Sequence, residues 1–148
     1  MFGGVSLLSL DNKGRLAIPA KHREALSAEF GTTLVVTLDS SDCLLLYPEK
    51  NWLPVQARVN ALPTSQPTVR QFQRLVLGHA ETVDMDGAGR ILLAAKLRTM
   101  VDLDKNVVLV GMGHRFELWD EAKWDAQTAA ALALPADSLA AHLGDFSL

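Results

Sequence analysis

Only one cysteine, Cys43, occurs in 148 residues. A single thiol excludes an internal disulfide framework and cannot by itself supply a structural zinc site, so a reducing cytoplasm is the expected compartment. Long hydrophobic runs are also missing. The apolar stretch Val5 to Leu10 is short, is interrupted by Ser6 and Ser9, and follows no basic region, so neither a signal peptide nor a membrane partner is expected. Positive charge is not in excess: 14 Lys and Arg face 17 Asp and Glu, a formal net charge of -3. That balance excludes a nucleic-acid binder relying on a uniformly basic domain. The four histidines, His22, His79, His114 and His142, have no metal-ligand spacing, so no metal site is expected.

What is present is apolar material, 49% of the residues, enough for one compact body without staples. Charge is unevenly distributed: Lys13, Arg15, Lys21, His22 and Arg23 cluster early, whereas Asp39, Asp42, Glu49 and the C-terminal third are acidic. The chain also repeats itself. Asp11-Asn12-Lys13-Gly14-Arg15-Leu16-Ala17-Ile18 recurs as Asp86-Gly87-Ala88-Gly89-Arg90-Ile91-Leu92-Leu93, a shift of 75 positions from 11 to 86. Ala20-Lys21-His22-Arg23 answers to Ala95-Lys96-Leu97-Arg98, Val35-Val36 to Val107-Val108, Leu46-Tyr47 to Leu118-Trp119, and Trp52 to Trp124. Such self-similarity marks a duplicated structural unit.

Each unit reads as β-β-α-β-β. Val5 to Leu10 and Arg15 to Ile18 flank the turn Asn12-Lys13-Gly14, a hairpin signal. Pro19 suits a first helical turn, Lys21 to Glu29 are good helix formers, and Gly31 stands as a stop. Leu34 to Leu38 and Cys43 to Tyr47 read as strands. The second unit repeats the order through His79 to Val83, Arg90 to Leu93, a helix near Ala95 to Met100, Val107 to Val110 and Arg115 to Trp119. Two helices are expected between Pro48 and Gly78, and two more in an alanine-rich tail split by Pro135, with Trp124, Leu132, Leu139 and Leu143 as buried positions. The expected organisation is residues 1–53 as the first repeat, 54–78 as a helical connector, 79–125 as the second repeat and 126–148 as a helical tail. Four short strands leave wet apolar faces, so the α+β fold expected is a pseudo-twofold closed β-barrel with peripheral helices.

In the repeated Asp-x-x-Gly-Arg motif, Gly14 and Gly89 tolerate positive φ, and Asp11 and Asp86 accept backbone amides, shaping the turns. The following Arg15 and Arg90 have two fates. In one, each forms a bidentate salt bridge to its aspartate and merely locks the turn. In the other, the guanidinium reaches guanine O6 and N7 or clamps phosphates, with Lys13, Lys21 and Arg23 supplying attraction. A mixed case has Asp11 orienting Arg15 for DNA.

These residues, with the opening Met1-Phe2-Gly3-Gly4, the run through Ile18-Pro19, Gly78-His79-Ala80, Asp84-Met85-Asp86 and the Trp119-Asp120 and Trp124 ending, closely resemble the MraZ family over nearly the whole chain. That family is similar to the AbrB and MazE swapped-hairpin transcription factors. The resemblance implies a ring-shaped homo-oligomer, cytoplasmic and nucleoid-associated, that binds double-stranded DNA at short G-rich direct repeats in the promoter of the division and cell wall gene cluster, usually as a repressor and without a cofactor. Carried over, the DNA-contacting loops fall on Asp11 to Arg15 and Asp86 to Arg90, with Arg15 foremost. Two departures stand out: Gly3 replaces a residue that is basic in many relatives, and Ala94 stands where Pro19 would recur, which ranks the Arg90 loop second.

Two rivals belong to other classes. Asp11 and Asp86, if brought together across the axis, form a carboxylate pair for acid-base catalysis; DNA loops need them apart. Alternatively the Ala/Leu-rich tail makes the chain an antitoxin-like protein-interaction module; simple packing on its own barrel or on a neighbouring subunit is the plainer reading. Cys43 reads as a small core residue, Gly87-Ala88-Gly89 lacks the phosphate-loop lysine, and Trp52, Trp119 and Trp124 read as helix anchors.

Overall fold

Near-continuous apolar runs such as Leu34 to Val36, Leu44 to Tyr47 and Val107 to Val110 suit strands covered on both faces. The computed structural model describes residues 1–148 and bears this out. In chain order the elements are β1 (Val5–Ser9), β2 (Arg15–Ala17), α1 (Ala20–Glu29), β3 (Thr33–Thr37), β4 (Leu44–Pro48), α2 (Glu49–Asn60), α3 (Pro67–Val76), β5 (Glu81–Asp84), β6 (Arg90–Leu92), α4 (Ala95–Met100), β7 (Asn106–Gly111), β8 (Phe116–Asp120), α5 (Glu121–Leu132) and α6 (Ala136–Leu143). Each half is thus β-β-α-β-β, followed by two helices.

The expected hairpins do not close within a repeat. β1 pairs with β7, from Val5↔Val110 to Ser9↔Asn106, and β5 pairs with β3, from Thr33↔Asp84 to Val36↔Glu81. β2 pairs with β6. The turn uses its own backbone groups locally, and the donors beside it cross over: Leu10 N–H to Lys105 O, Ile18 N–H to Gly89 O, Leu93 N–H to Gly14 O. Exchange pairs an edge of β7 and of β3 that closure within each repeat would leave open.

The main sheet runs β1-β7-β8-β4-β3-β5. Equating β1 with β5, β7 with β3 and β8 with β4 makes this order a palindrome, the signature of a pseudo-twofold axis. That axis passes between Leu45 and Glu117, and between Leu16 and Ile91. The ladders form this six-stranded antiparallel sheet and a separate β2–β6 ribbon, not one continuous ring.

The sheet separates two apolar layers. On one face Val36, Leu44, Leu109 and Phe116 meet Leu16 and Ile91 of the ribbon, Leu26 of α1 and Leu97 of α4. On the other, Val35, Tyr47, Val108 and Trp119 lie under Trp52 and Val59 of α2 and Val76 of α3. Each large side chain so buried contributes about 1.5–3 kcal/mol. Pro19, expected within the first helical turn, instead sits at the N-cap of α1 with φ -55° and ψ 145°, one position before the first helical residue, Ala20. Gly31, at φ 87°, ends that helix by donating to Leu26 O at 2.7 Å. Cys43 is a core residue whose thiol is pushed up to about 12, chiefly by burial.

The tail corrects one expectation. Trp124 packs edge-on to Trp119 at 5.6 Å, and Lys123 Nζ ties α5 down by donating to Ser41 O at 2.7 Å and Val101 O at 3.2 Å. Beyond these, Leu132, Leu139 and Leu143 are exposed, not buried, and neither α5 nor α6 has a buried residue. Alanines such as Ala129 to Ala131 give these helices little area with which to hold the sheet. No helix is long and apolar enough to cross a membrane.

Candidate nucleic-acid interface

The repeated motif folds into two turns with the same bonding. In the first, Asp11 Oδ1 accepts from the amides of Lys13 and Arg15, both at 2.9 Å, while Oδ2 accepts from Arg15 Nε at 2.6 Å. In the second, Asp86 Oδ1 accepts from the amides of Ala88 and Arg90 at 2.9 Å, and Oδ2 from Arg90 Nε at 2.9 Å. Gly14 and Gly89 take φ 82° and 76° and donate to Asp11 O and Asp86 O. These bonds hold both carboxylates ionised. The Arg15 amide, then its side chain and the Lys13 amide, hold Asp11 at about 2; the Arg90 and Ala88 amides lower Asp86 likewise.

The salt bridges are not bidentate. Each aspartate divides its two oxygens between backbone and arginine, and each arginine is gripped by Nε alone. Nη1 and Nη2 are left over, and the side chains of Arg15 and Arg90 are 30% and 37% exposed. A guanidinium fixed at its root with two free amino groups can donate a parallel pair of hydrogen bonds outward.

The ribbon aims both. Alternation sends Leu16 and Ile91 into the core, so Arg15, Ala17, Arg90 and Leu92 share the outer face, where Ala17 and Leu92 are exposed. Register sets Arg15 opposite Leu92 and Arg90 opposite Ala17. The two arginines are therefore diagonal neighbours, about 7–8 Å apart at Cα. Their turns lie at the two ends of the ribbon, since Gly14 O meets Leu93 N and Gly89 O meets Ile18 N. Four residues separate Gly14 from Ile18, about 13 Å of strand. The aspartates thus share no cleft, and their lowered pKa values are the reverse of a carboxylate held as a general acid.

The remaining predicted cations disperse. Lys13 stays on the first turn and is exposed. Lys21 has its Nζ against Gly4, beyond the Val5 end of β1, so the length of that strand separates it from Asp11. Arg23 crosses to the other repeat: its Nη1 donates to Ala88 O at 3.4 Å, and it fills the space beside Gly89. Arg98, not singled out in the sequence, does the same to the first turn, its guanidinium lying against Gly14. The signal was present in the alignment of Arg23 with Arg98, but not the crossing. The two turns are also more alike than the loss of proline implies. Ala94 adopts φ -59° and ψ 136°, matching Pro19, because this extended region is open to any residue.

His22 is buried beside Phe2 and Phe116, and burial, then Lys21, lowers its pKa. No group of His, Cys, Asp and Glu side chains is arranged to hold a metal ion.

The chain matches the family model described as "MraZ protein, putative antitoxin-like" twice, over residues 1–75 and 76–146. It is 67% identical to the transcriptional regulator MraZ of Chromobacterium violaceum over the full length of both chains. Its identity is 49% to the transcriptional regulator MraZ of Nitrosomonas europaea and 47% to that of Thiobacillus denitrificans, again over both full lengths. Matched in both halves by one family and two-thirds identical to a relative end to end, the chain belongs to the MraZ family.

Proposed function

We propose that this protein is a sequence-specific DNA-binding transcription regulator and not an enzyme. The observation that carries the reading is the pair of aspartate-rooted arginines, Arg15 and Arg90, with free Nη groups on one outward ribbon face. Such a fork matches guanine O6 and N7 in the major groove, or a phosphate. A separation of about 7–8 Å spans roughly two base steps at 3.4 Å each. Lys13 beside the first turn adds attraction; Lys21 and Arg23 are secondary to it. The name carried by the relatives supports the same role.

On this reading the sheet and ribbon curl about their shared core as a barrel that presents the two turns. The protein acts in the cytoplasm, on the nucleoid, as a ring-shaped homo-oligomer without a cofactor. It represses by occupying short G-rich direct repeats in the promoter of the division and cell wall gene cluster. Several modest loops on one ring raise effective concentration at repeated sites, which answers the acidic net charge.

The test is binding of the wild type, Arg15→Ala and Arg90→Ala to the DNA upstream of the protein's own gene, across a salt series, with assembly size checked in parallel. Binding that weakens with salt, and is lost in Arg15→Ala without loss of assembly, is expected. Absence of wild-type binding at low salt would overturn the proposal. The exposed tail leucines favour a second reading, an interaction module; its sign is a stoichiometric second protein bound through residues 121–148, and a pure homo-oligomer contradicts it.

A further inference from the structure

We infer that Arg98 and Arg23 are positioning residues exchanged between the repeats: Arg98 of the second holds the Asp11–Arg15 turn, and Arg23 of the first holds the Asp86–Arg90 turn. The inference rests on the DNA-binding reading of those turns for its consequence, but its geometry is independent of it. A Cβ on Gly14 would lie 2.6 Å from Arg98 Cζ and 2.7 Å from its Nε, so the guanidinium occupies the place a side chain would take. Arg98 Nε donates to Leu93 O at 3.3 Å, and Leu93 N donates to Gly14 O at 3.1 Å. The arginine therefore backs the very rung that fastens the first turn to β6.

The second turn repeats the arrangement. A Cβ on Gly89 would overlap Arg23 Cδ, Arg23 Nη1 donates to Ala88 O at 3.4 Å, and Gly89 O accepts from Ile18 N at 2.9 Å. Arg23 Nε is buried without a partner, so this side chain is held there by shape more than by its own hydrogen bonding. The nearest atoms are those of the Arg98 guanidinium at Gly14 and Cδ of Arg23 at Gly89, and a lysine supplies no planar fork at either place. Glycine is thus needed at positions 14 and 89 for two reasons, its positive φ and the room it leaves for the other repeat's arginine. Arg15 and Arg90 face outward from turns that Arg98 and Arg23 support from behind.

The experiment uses the full chain and two readouts. Amide hydrogen exchange is measured for Lys13, Arg15, Ala88 and Arg90 in the wild type, Arg98→Ala and Arg23→Ala. Arg98→Ala is expected to speed exchange at Lys13 and Arg15 about five- to tenfold, the loss of roughly one hydrogen bond, leaving Ala88 and Arg90 unchanged; Arg23→Ala does the reverse. Both turns loosening equally, or the turn of the same repeat loosening instead, would overturn the inference.

The second readout is affinity for a duplex of the DNA upstream of the protein's own gene. Arg98→Ala should weaken binding while leaving the salt slope intact, add nothing further to Arg15→Ala, and add its full effect to Arg90→Ala. A slope reduced by about 1 would make Arg98 a phosphate contact and refute the positioning role. If Arg98→Ala does not fold, Arg98→Lys decides, with the same direction expected and a smaller effect; wild-type turns in that variant would overturn the inference. Wild type that fails to bind the duplex refutes the DNA reading alone, since the exchange pattern still decides the brace.

Discussion

Gly14→Ala and Gly31→Ala form a matched pair that isolates what Arg98 does. Both glycines lie in the left-handed region, at φ 82° and 87°, where an L side chain costs about 1–2 kcal/mol. At Gly31 a Cβ meets nothing within 4 Å, whereas at Gly14 it meets the Arg98 guanidinium. Because the obstruction is the end of a flexible side chain, Arg98 can swing aside. The added cost is then limited to its hydrogen bond to Leu93 O, about 0.5–1.5 kcal/mol net. Gly31→Ala should therefore cost about 1–2 kcal/mol and Gly14→Ala about 1.5–3.5 kcal/mol. In a thermal melt at about 2–4 °C per kcal/mol, the first loses roughly 2–8 °C and the second roughly 3–14 °C. DNA affinity should separate them further, with Gly31→Ala close to wild type and Gly14→Ala impaired. Equal melts and equal affinities would show that nothing is wedged behind the first turn, and the reasoning would fail.

Acid should loosen the turns late. Asp11 is depressed to about 2 from 3.8, so the stability its ionised form contributes is complete above pH 3.8 and is lost as pH falls through about 2; carboxyl resonances that titrate at the ordinary value would contradict this. His22 has the opposite chemistry and the same sign. Its folded value lies below 6.5, so the unfolded chain binds the proton first, and stability declines as pH drops below 6.5. His22→Phe should flatten that decline in denaturant titrations at successive pH values, and an unchanged slope would refute it. Removing residues 133–148 takes away a helix with no buried residue, so the melting free energy should change by no more than about 0.5 kcal/mol; a larger loss would mean that the tail supports the fold.

Much of the architecture was legible because the duplication doubled every local signal. Gly31, the turn at Asn12 to Gly14 and the apolar runs at Leu34 and Leu44 act through φ preference or burial on neighbouring atoms, which sequence exposes directly. Partner choice is different. A turn that reads as a hairpin specifies a reversal of direction but not which strand receives the freed edge, and here β7 and β6 receive it. Arg15 is identifiable from its place after a rigid glycine, whereas the nearness of Arg23 to Lys21 and His22 in sequence gives no sign that its long side chain reaches into the opposite repeat. The tail leucines are a different case: Leu139 and Leu143 recur at helical spacing on α6 while Leu132 ends α5, and such spacing is silent on whether anything lies against the face it marks.

Strand exchange has a consequence for how the molecule comes off the ribosome. β1 finds its ladder only in β7, at Val5↔Val110, so roughly a hundred residues must be added before the first strand can be sealed. At about 5–20 residues per second that is a wait of about 5–20 s. During it the exposed Val5 and Leu7 edge and the half-finished sheet of the first repeat stand open, competent to pair with another nascent chain. A fold that assigns its first strand to its seventh therefore turns synthesis rate, and the crowding of neighbouring ribosomes, into determinants of whether each chain completes itself or trades a strand with its neighbour.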